Sequence, residues 1–161
     1  MRTIHLASVV VCAFVSCGGA SGGNTSTCDH VGLADISSFY VGKGTISTEA
    51  SADGCGYNLS NAGITNFRVC NLTVFKGAGA AASFDSYKSA AINYGPVSDA
   101  GVGERSYFST QGPDSRDQYS FDIGFEKKGT AIVLICVAAT SNGEAGKPQV
   151  AALMAKAAAK I

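Results

Sequence analysis

The chain has 161 residues, of which 46% are hydrophobic and 15% charged. That is one domain's worth of chain, long enough to bury a core of its own. The 12 basic residues balance 12 acidic ones, and no block of either sign stands out. This excludes the clustered basic face of a nucleic-acid binder and the polybasic surface that holds a protein on anionic lipid.

The N-terminus carries Arg2, then an apolar run from Leu6 to Val15. Such a run suits the core of a secretory signal and is too short for a membrane-spanning helix, which takes about 20 apolar residues. Phe14-Val15-Ser16-Cys17 resembles the lipobox of bacterial lipoproteins, although that motif usually has Leu where this chain has Phe14. The expectation is a signal peptide over 1–16, cleavage before Cys17 and a lipid on its thiol. The alternative is an ordinary secretory signal cut nearby, after Ala20. Gly18 to Ser26 holds only Gly, Ala, Ser, Asn and Thr, a composition that buries little apolar surface. It predicts a flexible tether over 17–27 and a folded domain over 28–161.

In the domain, Leu33, Ile36, Phe39 and Tyr40 fall at helical spacing, and Gly42 and Gly44 end the pattern. Thr45 to Asp53 is small and polar and reads as a loop. Tyr57 and Leu59 mark a short strand. Ile64 to Phe75 carries apolar groups in both phases, so it predicts a central strand. Ala81 to Ile92 predicts a second helix, closed by Tyr94-Gly95-Pro96. A strand is expected over Ser106 to Ser109, and a polar turn from Gln111 to Gln118. Tyr119, Phe121, Ile123 and Phe125 alternate with Ser120, Asp122, Gly124 and Glu126, which predicts a strand with one face to solvent. Lys127-Lys128-Gly129 makes a hairpin turn. Ala131 to Ala139 reads as a strand buried on both faces. Ser141 to Lys147 reads as a loop, and a last helix begins at Pro148, burying Val150, Leu153, Met154, Ala157 and Ile161. The fold class is α+β: a single antiparallel β-sheet of about five strands with helices packed on one face, in the order helix, two strands, helix, three strands, helix.

Of six cysteines, Cys12 falls in the signal and Cys17 is the lipidation candidate. Cys28, Cys55, Cys70 and Cys136 remain, an even set that reads as disulfides in an exported chain. Three pairings are open. Position in the chain favours Cys28 with Cys55, pinning the first helix to the sheet, and Cys70 with Cys136, stapling two strands.

The Cys28 opening, the first helix with its Gly ending, Cys55-Gly56-Tyr57, the helix holding Phe84, Val97 to Tyr107 and the Ala-rich last helix resemble, in order, a family of small cell-envelope lipoproteins. That family is common in actinobacteria and is defined by a domain of unknown function. Glu104 stands where it more often has Asp. The resemblance implies an extracytoplasmic, non-enzymatic α+β module, similar in outline to sensor or solute-binding domains. It does not cover the pair Cys70 and Cys136.

The sequence offers little catalytic chemistry. His30 is the one histidine beyond the signal, and a capping or surface role suits its place at the tether junction. The carboxylates Asp99 with Glu104, Asp114 with Asp117, and Asp122 with Glu126 are formal pairs. The first two sit in turns, where Asp bonds nearby backbone, and the third points to solvent. Gly101-Val102-Gly103 lacks the third Gly and following helix of a dinucleotide site. No CxxC pair suggests zinc, and no cofactor is expected. Asn24, Asn58 and Asn71 open glycosylation-type triplets, taken as chance matches in a bacterial chain. Polar loops carry the ligand-binding candidates Asp99, Arg105 and Arg116. The expected function is a lipid-anchored binding or accessory module of the cell envelope. Its partners would be the membrane, through the N-terminal lipid, and an envelope protein or small solute, with no nucleic acid. A small carboxylate-dependent hydrolase and a purely structural envelope protein are the alternatives.

Overall fold

The computed structural model describes residues 27–93, 95–116, 118–139 and 143–161. The lipobox with Cys17, Cys12, Tyr94 and Asp117 lie outside them. The chain enters through a 3-10 turn at Thr27–Asp29, a short helix α1 (Leu33–Ser37) and a second 3-10 turn at Ser38–Tyr40. Strands β1 (Thr45–Ala50), β2 (Gly54–Asn61) and β3 (Ile64–Lys76) lead to helix α2 (Ala80–Ala91). Strands β4 (Val97–Ser98), β5 (Arg105–Gln111), β6 (Tyr119–Lys127) and β7 (Thr130–Ala139) follow, and helix α3 (Gly143–Ala158) ends the chain.

All strands join one seven-stranded antiparallel sheet in the order β1-β2-β3-β7-β6-β5-β4. The α+β class holds, with two strands more than expected and a different element order. Both additional strands lie at the edges. In β1 only Ile46 is buried, so no apolar alternation distinguishes the strand from a loop, while Thr and Ser suit an extended edge. The other, β4, is only two residues long. The last helix begins at Gly143, so Pro148 lies inside it instead of opening it.

Register assigns the side chains to faces, because directly paired residues share one. One face carries Ile46, Tyr57, Leu72, Leu134, Ile123 and Phe108. This is the main core, and it also takes in Ile36, Phe39 and Tyr40 from the N-terminal segment and Val150, Leu153, Met154 and Ala157 from α3. Buried hydroxyls fix that layer to the sheet: Tyr57 donates to the Val31 carbonyl at 2.6 Å, and Tyr40 to the Val137 carbonyl at 2.7 Å. Across the layer, Lys156 pairs with Asp35 at 3.0 Å.

The opposite face is covered by α2 alone. Phe84 and Ala91 pack there with Tyr107 and Ala131 in a separate, smaller core. Helices therefore lie on both faces of the sheet, not on one. The reason is visible in the buried central strands: β7 is apolar in both phases, so each of its faces needs cover. Toward β1 and β2 this second face turns polar, and Ser47, Glu49, Arg68 and Asn71 are exposed.

Both favoured disulfides are present. Cys28 in the opening turn bonds Cys55 on β2, and Cys70 on β3 bonds the directly opposite Cys136 on β7 with the Cα atoms 4.1 Å apart. The first closes a sequence separation of 27 residues and the second of 66. A cross-link excludes more unfolded conformations the longer the loop it closes. Replacing Cys70 and Cys136 together by Ala is expected to cost about 4 kcal/mol, and the Cys28/Cys55 double variant about 0.8 kcal/mol less, as read from urea unfolding of each variant against the parent.

Candidate functional site

The sequence candidates divide between the two ends of the β5–β6 hairpin. Asp99 and Arg105 border an open cleft of about 430 Å³ together with Lys88 and Glu104. Arg116 lies beyond Gln111, about 20 Å away along the strand. The structure therefore does not gather these three into one site. Asp99 accepts from the Ser106 hydroxyl and, at 3.0 Å, from the Gly101 backbone N–H. Those bonds hold its carboxyl below the usual range, the Ser106 bond most strongly. Arg105 donates to Glu126 at 2.7 Å and to Asp85 at 3.0 Å, with its guanidinium 4.7 Å from the Phe84 ring centre. Arg116 pairs with Asp114 at 3.0 Å, and Asp114 also caps the Arg116 and Gln118 backbone N–H groups. The Gln118 and Arg116 N–H bonds keep the Asp114 carboxyl low. Asp99, Arg105 and Arg116 are thus engaged within the fold, as loop locks and a strand-to-helix clamp.

The formal carboxylate pairs fare no better as acid–base pairs. Glu104 accepts from the Lys128 backbone N–H at 3.3 Å. Asp122 and Glu126 are four residues apart on one strand, which separates them by about 13 Å.

Asp122, however, does not face solvent. It is 6% exposed, and the strand is buried from Phe121 through Phe125 in both phases. The polar phase of β6 lies on the face that α2 covers, where Tyr107 on the neighbouring strand closes over it. Tyr107 is fully buried and donates its hydroxyl to Asp122 Oδ1 at 2.7 Å. The ring lies directly across Gly124, where a Cβ would stand 2.5 Å from Tyr107 Cε1. Gly124 is therefore what lets the Tyr107 ring lie on the sheet and its hydroxyl reach Asp122. Desolvation pushes the Asp122 carboxyl up to about 7, although the Tyr107 hydrogen bond pulls the other way. Burial, first, and the Asp122 charge, second, push the Tyr107 phenol up.

On the side away from α2, Asp122 opens into a cavity of about 210 Å³. Its walls include Ile135 and Val137 of β7, with Ser109 and Gln111 of β5. A second, shallower hollow of about 460 Å³ shares Gln111, Ser120 and Val137 with it and runs on to Phe67, Pro113 and Gln118. The two adjoin through those three shared residues past the end of α2. Phe67 and Val137 expose apolar surface in the shallower one, at 47% and 36%. Two acceptors point to the character of this groove. Asp122 Oδ2 makes no hydrogen bond among the described residues, and Gln118 Oε1 is buried without a partner there. The signals for this groove in the sequence are Asp122, at an inward-capable phase of a strand whose other phase is aromatic, and the candidate Arg116, which borders the shallower hollow together with Asp114.

His30 is half-buried at the entry turn, and desolvation, followed by the charges of Lys76 and Lys160, lowers its pKa. The neighbouring Cys28 is held in a disulfide and so supplies no thiolate.

An Asp whose folded pKa is raised favours folding while it is protonated, so its contribution is complete below about pH 4 and is lost as pH rises through about 7. Thermal melts from pH 4 to 8 are expected to show this decline in the parent and not in Asp122→Asn, which becomes the more stable of the two at pH 8. Tyr107→Phe is expected to move the Asp122 midpoint above that of the parent, read from its carboxyl ¹³C shift. Gly124→Ala drives a methyl into the Tyr107 ring and is expected to cost about 1–3 kcal/mol in urea unfolding.

Comparison with family models, with curated proteins and with solved structures finds no match to this chain.

Proposed function

We propose that the chain is a lipid-anchored, extracytoplasmic module of a bacterial cell envelope that binds a protein or small solute and has no catalytic centre of its own. The groove past the end of α2 carries the binding role: it places a desolvated carboxylate and exposed apolar side chains on a rigid sheet, the composition of a recognition site. Two disulfides support the location, since such bonds persist in oxidising compartments. The Phe14 to Cys17 motif supports the anchor.

A carboxylate-dependent hydrolase is the second reading. Asp122 is the observation that favours it, because a carboxyl titrating near neutrality suits a general acid. It ranks below binding because Glu126, the nearest carboxylate on the strand, is tied to Arg105 at 2.5 Å. Ser109 beside Asp122 donates its hydroxyl hydrogen bond to the Ala91 carbonyl at 3.2 Å and not to a base that would activate it.

Expression of the full chain in a bacterial host with a palmitate analogue tests the anchor. The label and the membrane-pellet location are expected in the parent and lost in Cys17→Ala. Labelling that survives Cys17→Ala would overturn the anchor. Sustained turnover of an ester or glycoside abolished by Asp122→Asn would replace binding with hydrolysis.

A further inference from the structure

We infer that the groove over Asp122 is a binding site for a small organic ammonium compound, with its apolar body against Ile135 and Val137 and its ammonium group on Asp122 Oδ2. This deepens the binding role proposed above and rests on it.

Three observations select this ligand class. First, Asp122 has an oxygen left over: Tyr107 occupies Oδ1, and Oδ2 has no donor among the described residues although the side chain is 94% buried by its 6% exposure. A buried carboxylate gains most from a partner that brings both charge and donors. Second, the hydroxyls at Ser109 and Thr110 already donate to backbone carbonyls at 3.2 Å, so neither is left to donate to Asp122. The open valence at the floor of the groove is the Asp122 acceptor, so the complementary ligand is a donor. Third, the walls are apolar, and the deep part of about 210 Å³ is smaller than the ~300–1,000 Å³ typical for drug-sized ligands. An ammonium head on a compact apolar body satisfies all three.

Among the described residues the cation that borders the groove is Arg116, at its shallower end, and it is paired with Asp114 at 3.0 Å. On β5 the charged neighbour is Arg105, taken by Glu126 of β6 and Asp85 of α2. The remaining titratable groups of α2 are Tyr87, its ring tilted against Phe75 with centres 5.6 Å apart, and Lys88, which borders the other cleft. On β7 the residues of this face, Val133, Ile135 and Val137, carry no charge. Asp122 is therefore half protonated near neutrality in the free protein, and capture of an ammonium ion must expel that proton. Ligand uptake and proton release are coupled: the O–H bond of the acid breaks, the proton goes to solvent, and an ion pair replaces it.

Calorimetry on the full chain with 2-phenylethylamine tests this, with 2-phenylethanol and 3-phenylpropionate as neutral and anionic comparators. The amine stays charged throughout, since alkylammonium groups titrate near pH ~10. Its affinity is expected to be about 30-fold weaker at pH 5.5 than at pH 8.5, with protons released on binding near pH 7, and at least tenfold weaker in Asp122→Asn. Both comparators are expected to bind at least tenfold more weakly than the amine. A pH-independent affinity, equal binding of 2-phenylethanol, unchanged binding in Asp122→Asn, or no binding of the amine at pH 8.5 would each overturn the assignment. Should Asp122→Asn not fold, the pH series of the parent decides by itself. Failure of the amine with Cys17 labelling intact removes the ligand class and leaves the envelope module, whereas amine binding without labelling removes the anchor and leaves the site.

Discussion

The pairing of β3 with β7 is the contact on which the rest of the molecule depends. It joins two strand sets that are each built locally, β1-β2-β3 before α2 and β4 to β7 after it. Seven paired positions run from Cys70 opposite Cys136 to Lys76 opposite Thr130, and the disulfide locks one end of that ladder. Without this seam neither set has a complete core, because Leu72 and Val74 pack with Leu134 and Ile132 across it. A long-range antiparallel ladder of this kind has to overcome a large loop-closure entropy, and a covalent bond at one end lowers the entropy of the alternatives.

The seam also explains the two-sided character of the domain. Its strands are apolar on both faces, so each face requires its own cover. The N-terminal segment and α3 seal one side with large residues. On the other, α2 spans β3, β7 and β6 and stops at Ala91. The groove begins where that helix ends. Asp122 lies at this boundary, roofed by Tyr107 on one side and open on the other. A carboxylate deeper under α2 would have no access to a ligand, and one farther out would be hydrated and unremarkable in its acidity.

Much of the architecture was legible from the chain. The strong strands β3, β6 and β7, the helix holding Phe84 and the buried stripe of α3 follow from apolar periodicity, which survives folding because it reflects which faces are removed from water. Cysteine position pointed to the observed disulfides, since Cys70 and Cys136 each fall within a buried strand pattern. The edge strands escaped for the opposite reason: β1 buries only Ile46, and β4 has two residues, so neither carries a periodic signal. The loop candidates Asp99, Arg105 and Arg116 had the residue types of a binding site, but their partners Ser106, Glu126, Asp85 and Asp114 are already in the fold.

Composition and pattern by themselves determined the α+β class and an even set of disulfide cysteines, because burial and oxidation chemistry act through residue types and their spacing. What only the tertiary structure decided is which face of each strand is covered. The alternation in β6 is equally compatible with a wet or a dry second face, and the choice belongs to α2, a segment some 30 residues earlier. That choice turned Asp122 from one surface carboxylate among several into a desolvated group at the floor of a groove. No local pattern encodes it, since it arises from a helix, a tyrosine on the next strand and a glycine beneath its ring meeting at one place.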